Sequence, residues 1–170
     1  MASKSALLVI DVQRGIFEQR IPVYRAEEML ANINLLVEKA HQADAPVVYI
    51  QHSNDKYLKY GSELWQFHPE IKPQVGDLHI HKEHGNAFIA TELEEKLDEL
   101  GVNRIVCCGL VTHGCVRATC QGGIDREFEV VLATDAHSNY SKTASEIIKK
   151  WHKQLEEIGV LLLYSEKVSF

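Results

Sequence analysis

A chain of 170 residues with four cysteines and a net charge of −6 is long enough for one well-buried core and short for two, so a single domain over residues 1–170 is expected. Acidic and basic residues are interspersed, which leaves no basic face for nucleic acid and no polybasic patch for a membrane; a small molecule is the expected partner. No leader segment precedes the first apolar run, and no run approaches the roughly 20 residues that cross a bilayer, so a cytoplasmic location with reduced thiols is expected.

In chain order, Ala6-Leu7-Leu8-Val9-Ile10 is an unbroken apolar run of the kind found in parallel strands buried on both faces, and it ends at Asp11. From about Arg25 to Gln42, residues Met29, Ile33, Leu36, Val37 and Ala40 recur at spacings of three and four, the pattern of an amphipathic helix. Pro46 introduces a second strand, Val47-Val48-Tyr49-Ile50. The irregular stretch from about His52 to Gly76 is long for a loop inside a compact domain, and it reads as a lid or pocket wall. Asp77 to His81 forms a third strand ending near Lys82. Leu93, Leu97 and Leu100 then mark a helix stopped by Gly101. The fourth strand spans about Arg104 to Cys108, breaks at Gly109 into a tight loop, and delivers Cys115 to the start of a helix reaching about Arg126. Val130 to Ala133 is the fifth strand; a helix from about Thr143 to Ile158, closed by Gly159, leads to the sixth, Val160 to Tyr164. This alternation predicts an α/β fold: a doubly wound, mostly parallel six-stranded sheet in the order 3-2-1-4-5-6, with helices on both faces.

Ligands of such sheets bind beyond the carboxyl ends of the strands, beside the point where the winding reverses. Asp11 closes the first strand, Lys82 follows the third and Cys115 follows the fourth, so all three arrive at one rim. Each has a plainer reading alone, Asp11 as a turn or cap and Lys82 as a solvated charge; together they form a chemical group. A carboxylate beside a thiol can take its proton, and a nearby ammonium favours both charged forms. At a helix start, unpaired N–H groups favour an anion, which predicts a Cys115 thiol of lowered pKa, partly thiolate near neutrality. Cys107 and Cys108 fall inside the apolar run and read as packing. Cys120 lies roughly 140° around the helix from Cys115 and faces elsewhere. The four cysteines lack the CxxC spacing of a zinc site or disulfide framework.

Asp11-Val12-Gln13, Lys82 followed by Asn86-Ala87-Phe88, and Gly109-Leu110-Val111-Thr112-His113-Gly114-Cys115-Val116 together resemble the isochorismatase-like cysteine hydrolases, a family that includes nicotinamidases and N-carbamoyl-amino-acid amidohydrolases. The resemblance runs over nearly the whole chain. It implies that Asp11, Lys82 and Cys115 are a catalytic triad, that the Leu110–Val111 peptide is cis, and that the amides of Val111 and Cys115 form an oxyanion hole. It further implies hydrolysis of a small amide or ureido compound through a thioester, with Lys82 keeping Asp11 ionised, in a homodimer or homotetramer. Isochorismatases proper cleave a vinyl ether and lack the cysteine, so Cys115 argues against that activity. Nicotinamidases hold a metal with an Asp-x-His pair and a further histidine. Gln51-His52-Ser53-Asn54-Asp55 lacks that pair, so no metal and no cofactor are expected, and a nicotinamidase whose variant site uses His52 or His68 is the alternative.

Phe17, Trp65, Phe88 and His113 are the candidate substrate-binding residues, and Trp65-Gln66-Phe67-His68-Pro69 resembles a loop that approaches the site in this family. Arg117 reads either as a partner for a substrate carboxylate or as a partner for acidic side chains at the sheet edge. Gln13 is expected to hydrogen-bond backbone near the site, and Glu127 stands where the family commonly has a helix-ending glycine. Two readings of other classes remain: a thiol redox enzyme, for which Cys120 is a poorly placed resolving thiol, and a non-catalytic binding protein on the same fold.

Overall fold

The computed structural model describes residues 3–170. Its strands are β1 (Ser5–Ile10), β2 (Val47–His52), β3 (Leu78–Lys82), β4 (Arg104–Leu110), β5 (Glu129–Ser138) and β6 (Leu161–Leu163). They form one sheet in the order β3-β2-β1-β4-β5-β6, and every pairing is parallel. The doubly wound order is therefore as expected, with the winding reversing between β1 and β4.

Alternation along each strand divides the core into two layers. Leu7 and Val9 of β1 and Val106 and Cys108 of β4 pack under α2 (Ala26–Gln42), which contributes Met29, Leu30, Ile33, Leu36, Val37 and Ala40. Ala6, Leu8 and Ile10, with Ile105 and Cys107, face the other way. There they meet Leu93 and Leu97 of α3 (Leu93–Glu99), Cys120 of α4 (Arg117–Ile124) and Leu155 of α5 (Ala144–Glu157). A sheet covered on both faces needs apolar residues at successive positions, which is why the strands read as unbroken runs. Cys107 and Cys108 point to opposite layers and are completely buried. Among the described residues, no helix is long and apolar enough to cross a membrane.

The largest difference from the expected boundaries is at β5, which continues to Ser138 rather than stopping at Ala133. Asp135 and His137 interrupt the apolar run, but His137 is only 3% exposed and has polar partners at both ring nitrogens, Thr112 Oγ1 at 2.9 Å and His152 Nε2 at 2.8 Å. The extension also shifts register against β4 between Cys107 and Gly109. β3 begins one residue later than expected and takes in Lys82, while β6 loses a residue at each end. A single turn, α1 (Arg14–Phe17), has no counterpart in the sequence reading.

The segment between β2 and β3, read as a lid or pocket wall, is hydrogen-bonded to the residues that follow β1. Its Phe67 bridges antiparallel to Gln13, Arg14 and Gly15 donate their amides to Gln66 and Leu64 at 2.9 and 2.8 Å, and Leu58 and Ile71 are buried beneath it.

Candidate active site

Asp11 leaves β1 in the left-handed region, with φ 52°, while its amide still donates to the Ile50 carbonyl of β2 at 2.9 Å. The carboxylate is thereby held at the rim and is 1% exposed. Beside it, Gly109 of β4 has φ +116°, and a Cβ there would lie 2.0 Å from the Ile10 carbonyl oxygen. Only glycine permits that approach of β4 to β1. The Leu110–Val111 peptide is cis, as the resemblance implied. The Val111 carbonyl accepts from the amides of Gly114 and Val116 at 3.0 and 3.3 Å, winding Thr112–Val116 into a wide turn interrupted by non-helical Gly114. Cys115 is half-buried in this turn, before α4 begins.

Lys82 connects these groups. It is 1% exposed, and its Nζ donates to Asp11 Oδ2 at 3.0 Å, to Cys115 Sγ at 3.1 Å and to the His84 carbonyl at 3.1 Å, with His52 Nδ1 at 3.2 Å. β2 lies between β1 and β3, and its last residue, His52, is in register with Lys82. The lysine side chain thus spans the end of β2 to reach Asp11. Gln13, fully buried, fixes the intervening backbone: its Nε2 donates to the carbonyls of His52 and Trp65 at 3.0 and 2.8 Å, and its Oε1 accepts from the His52 amide at 2.9 Å. This is the supporting role expected of it. Asp11 Oδ1 is buried and has no hydrogen-bond partner.

Electrostatics here reverse one expectation. Burial, reinforced by the Asp11 carboxylate, pushes the Cys115 thiol up to about 12 against the pull of Lys82. The predicted lowering relied on a helix N-terminus, but Cys115 precedes α4 and occupies a desolvated turn next to an anion, where the neutral thiol is favoured. Burial also acts against the Lys82 charge, yet Asp11 and Cys115 outweigh it and hold the lysine above its usual range. His52 is held below its usual value by burial and then by Lys82, so its ring is neutral near neutrality.

A ring nitrogen of His52, a carboxylate oxygen of Asp11 and Cys115 Sγ lie within 4.8 Å of one another, a spacing that invites comparison with a metal site. The donors do not fit one. Lys82 Nζ is within 3.0–3.2 Å of all three residues, so an ammonium already occupies the position a cation would take. His68 does not converge on them: its Nδ1 accepts from the Glu70 amide at 3.2 Å and its ring lies 4.3 Å from that of Phe17.

Of the candidate pocket residues, Phe88 is 4% exposed and stacked on Phe128 at 5.8 Å beneath the Arg126 guanidinium, so core packing occupies its ring. Phe17 is half-buried against His68. Trp65 is tied to the site through its carbonyl, and its ring packs with Tyr60 and His81. His113 is exposed, and Arg117 lies over the Trp151 ring at 5.1 Å. Cys120 is buried in the layer that holds Cys107. The sequence reading missed Tyr57 and Tyr140, which are half-buried in one cluster with Val111. Burial first, and then Tyr140 and the Asp11 carboxylate, raise the Tyr57 phenol; neither tyrosine belongs to a motif.

Comparison with known proteins agrees with this architecture. The isochorismatase domain matches residues 5–154. The chain is 32% identical over 135 residues to the secreted isochorismatase effector Isc1 of Verticillium dahliae, covering 78% of this chain and 71% of that protein. It is 28% identical over 159 residues to the maleamate amidohydrolase of Pseudomonas putida, covering 80% and 75%. A crystal structure of an isochorismatase family protein superimposes with a TM-score of 0.89 at 28% identity, over 94% of this chain and 97% of the other. With its fold and its sequence in agreement, the chain belongs to the isochorismatase family of hydrolases.

Proposed function

We propose that this protein is a cysteine-dependent amidohydrolase that cleaves the non-peptide C–N bond of a small amide or ureido compound through a thioester. The observation that carries this reading is the buried Asp11–Lys82 pair set against the half-buried thiol of Cys115, 3.1 Å from the lysine nitrogen. A relative named as an amidohydrolase supports the reaction class. Asp11 accepts the thiol proton, and Sγ attacks the carbonyl carbon. The oxyanion is held by the amides of Val111 and Cys115, each such donor worth roughly 2.7–4 kcal/mol. Asp11 returns its proton to the nitrogen, the C–N bond breaks, and ammonia or an amine departs. Water then gives a proton to Asp11 and its oxygen attacks the thioester; the C–S bond breaks, a carboxylic acid leaves from an amide substrate or a carbamic acid from a ureido one, and Asp11 returns the proton to Sγ. Lys82 remains charged throughout.

The test is product release from a panel of small amides and ureido compounds, including maleamate, nicotinamide and N-carbamoyl amino acids, with wild type and Cys115→Ala side by side. Ammonia released by wild type alone is expected. The name of the Verticillium relative makes isochorismate the necessary control, because vinyl-ether hydrolysis needs no thiol. Ether cleavage that survives Cys115→Ala, with no amide accepted, would replace this reading. Chelator treatment is expected to leave the amidase rate unchanged; a loss restored by zinc or iron would indicate a metal-assisted nicotinamidase.

A further inference from the structure

An ammonium has three N–H donors, yet Lys82 Nζ has four acceptors around it: Asp11 Oδ2, Cys115 Sγ, the His84 carbonyl and His52 Nδ1, between 3.0 and 3.2 Å away. One acceptor must go short in any state of the site. While Cys115 is a neutral thiol, its sulfur is the weakest acceptor of the four although it lies 3.1 Å from Nζ, so two donors go to Asp11 and His84 and the third is shared between Sγ and His52. A thiolate is a charged acceptor and outcompetes a neutral ring nitrogen. The His52 contact is the longest of the set, and a half-buried imidazole can take water in its place. Asp11 is not the one to yield, because its partnerless Oδ1 is free to receive the thiol proton while Oδ2 keeps its lysine bond.

We infer that His52 is a positioning residue: it shares the third N–H of Lys82 while the thiol is protonated and releases it to Sγ when the thiolate forms. This deepens the reading of Cys115 as nucleophile and rests on it. For Nδ1 to accept, the ring proton must sit on Nε2. Lys82, Asp11 and His81 act on the ring by charge and the His84 carbonyl as a backbone acceptor, and the Cys115 sulfur lies within 4.8 Å of it. Gln13 clamps both backbone groups of His52, so the side chain, and not the strand end, is what moves.

The experiment is alkylation of Cys115 by iodoacetamide as a function of pH, in wild type, His52→Leu and His52→Asn, with Cys115→Ser as the blank. Leucine cannot compete for the lysine donor, so the thiol ionises more easily, by about one pKa unit for a bond to a charged group. The thiolate fraction then rises about tenfold and lower basicity takes back about threefold, for a net acceleration of about threefold near pH 8. Asparagine offers an oxygen near the place of Nδ1 and is expected to keep the wild-type profile. A leucine variant no faster than wild type, or an asparagine variant that follows leucine, overturns the proposal. A second measurement keeps His52 intact. Cys115→Asp places a carboxyl near Sγ, and at a pH where carbon NMR shows that carboxyl ionised beside Asp11, imidazole nitrogen NMR is expected to show Nδ1 losing its lysine bond relative to Cys115→Ser; an unmoved Nδ1 signal beside the ionised carboxylate overturns the proposal equally. Neither experiment needs a substrate, so silence on the amide panel leaves this test independent.

Discussion

Asp11 and Lys82 are each 1% exposed and 3.0 Å apart, so each charge is tolerated in the interior because the other is there. Removing one partner of such a pair leaves an uncompensated buried charge, at a cost of about 3–5 kcal/mol. Lys82→Met is therefore expected to lose that much stability in urea titration and, lacking the one group that lowers the Cys115 thiol, to be alkylated more slowly than wild type. Adding Asp11→Asn to Lys82→Met is expected to recover part of the stability and none of the turnover; a stable single variant would show that water enters the site freely. Asp11, Lys82 and Cys115 could be brought together from the sequence because Asp11 closes an apolar run, Lys82 ends the third strand and Cys115 follows the fourth by one short loop, and parallel strand ends share a rim. His52 was legible only as a metal ligand, since its register with Lys82 appears once β2 and β3 are paired. The sign of the Cys115 shift was misread because a helix dipole can be inferred from sequence order and burial cannot.

At the scale of elements, four helices leave by one geometry. Asp44, Gly101, Glu127 and Gly159 all have positive φ. The residue after each donates to a carbonyl five positions back: Ala45 to Ala40 and Val102 to Leu97, both at 2.9 Å, and Phe128 to Gly123 and Val160 to Leu155, both at 3.0 Å. Glycine fills two of these exits, as its place after each apolar pattern predicted. Glu127 adopts the same left-handed conformation at φ 63°, so the departure from the family pattern changes the residue and keeps the turn. A left-handed non-glycine residue costs about 1–2 kcal/mol, and glycine returns some of that in chain entropy. Glu127→Gly is expected to stabilise the fold by about 0.5 kcal/mol net, read as a higher urea midpoint with unchanged slope; a lower midpoint would mean that the glutamate side chain makes a stabilising contact. Gly109→Ala is the opposite case. Its Cβ would overlap the Ile10 carbonyl, and the variant is expected to be insoluble or to lose several kcal/mol, a penalty typical of strain at a special backbone position. Apolar runs and glycine stops carried the element order, whereas the far half of β5 was hidden because its polar residues find their partners on other elements.

Those partners tie the whole molecule together. From α5, His152 meets His137 of β5, and His137 meets Thr112, which opens the turn that carries Cys115. β5 and α5 thereby brace the Cys115 turn through neutral side chains, and acid is what such a brace resists least. Burial first, and then His152, brings His137 down to about 3 from an ordinary 6.5. Between those values the unfolded chain holds a proton that the folded chain refuses, so stability falls as pH is lowered through that window and returns as pH rises. A single group of this kind contributes about 1.4 kcal/mol per pH unit inside the window. His137→Gln removes the titration while leaving an amide able to hydrogen-bond. Urea unfolding of both chains from about pH 4 to about pH 6.5, the lower part of the range in which an unperturbed histidine titrates, is expected to show a shallower dependence for the variant. Parallel curves would place the acid sensitivity in the carboxylates and leave the His137 bridge as a packing contact alone.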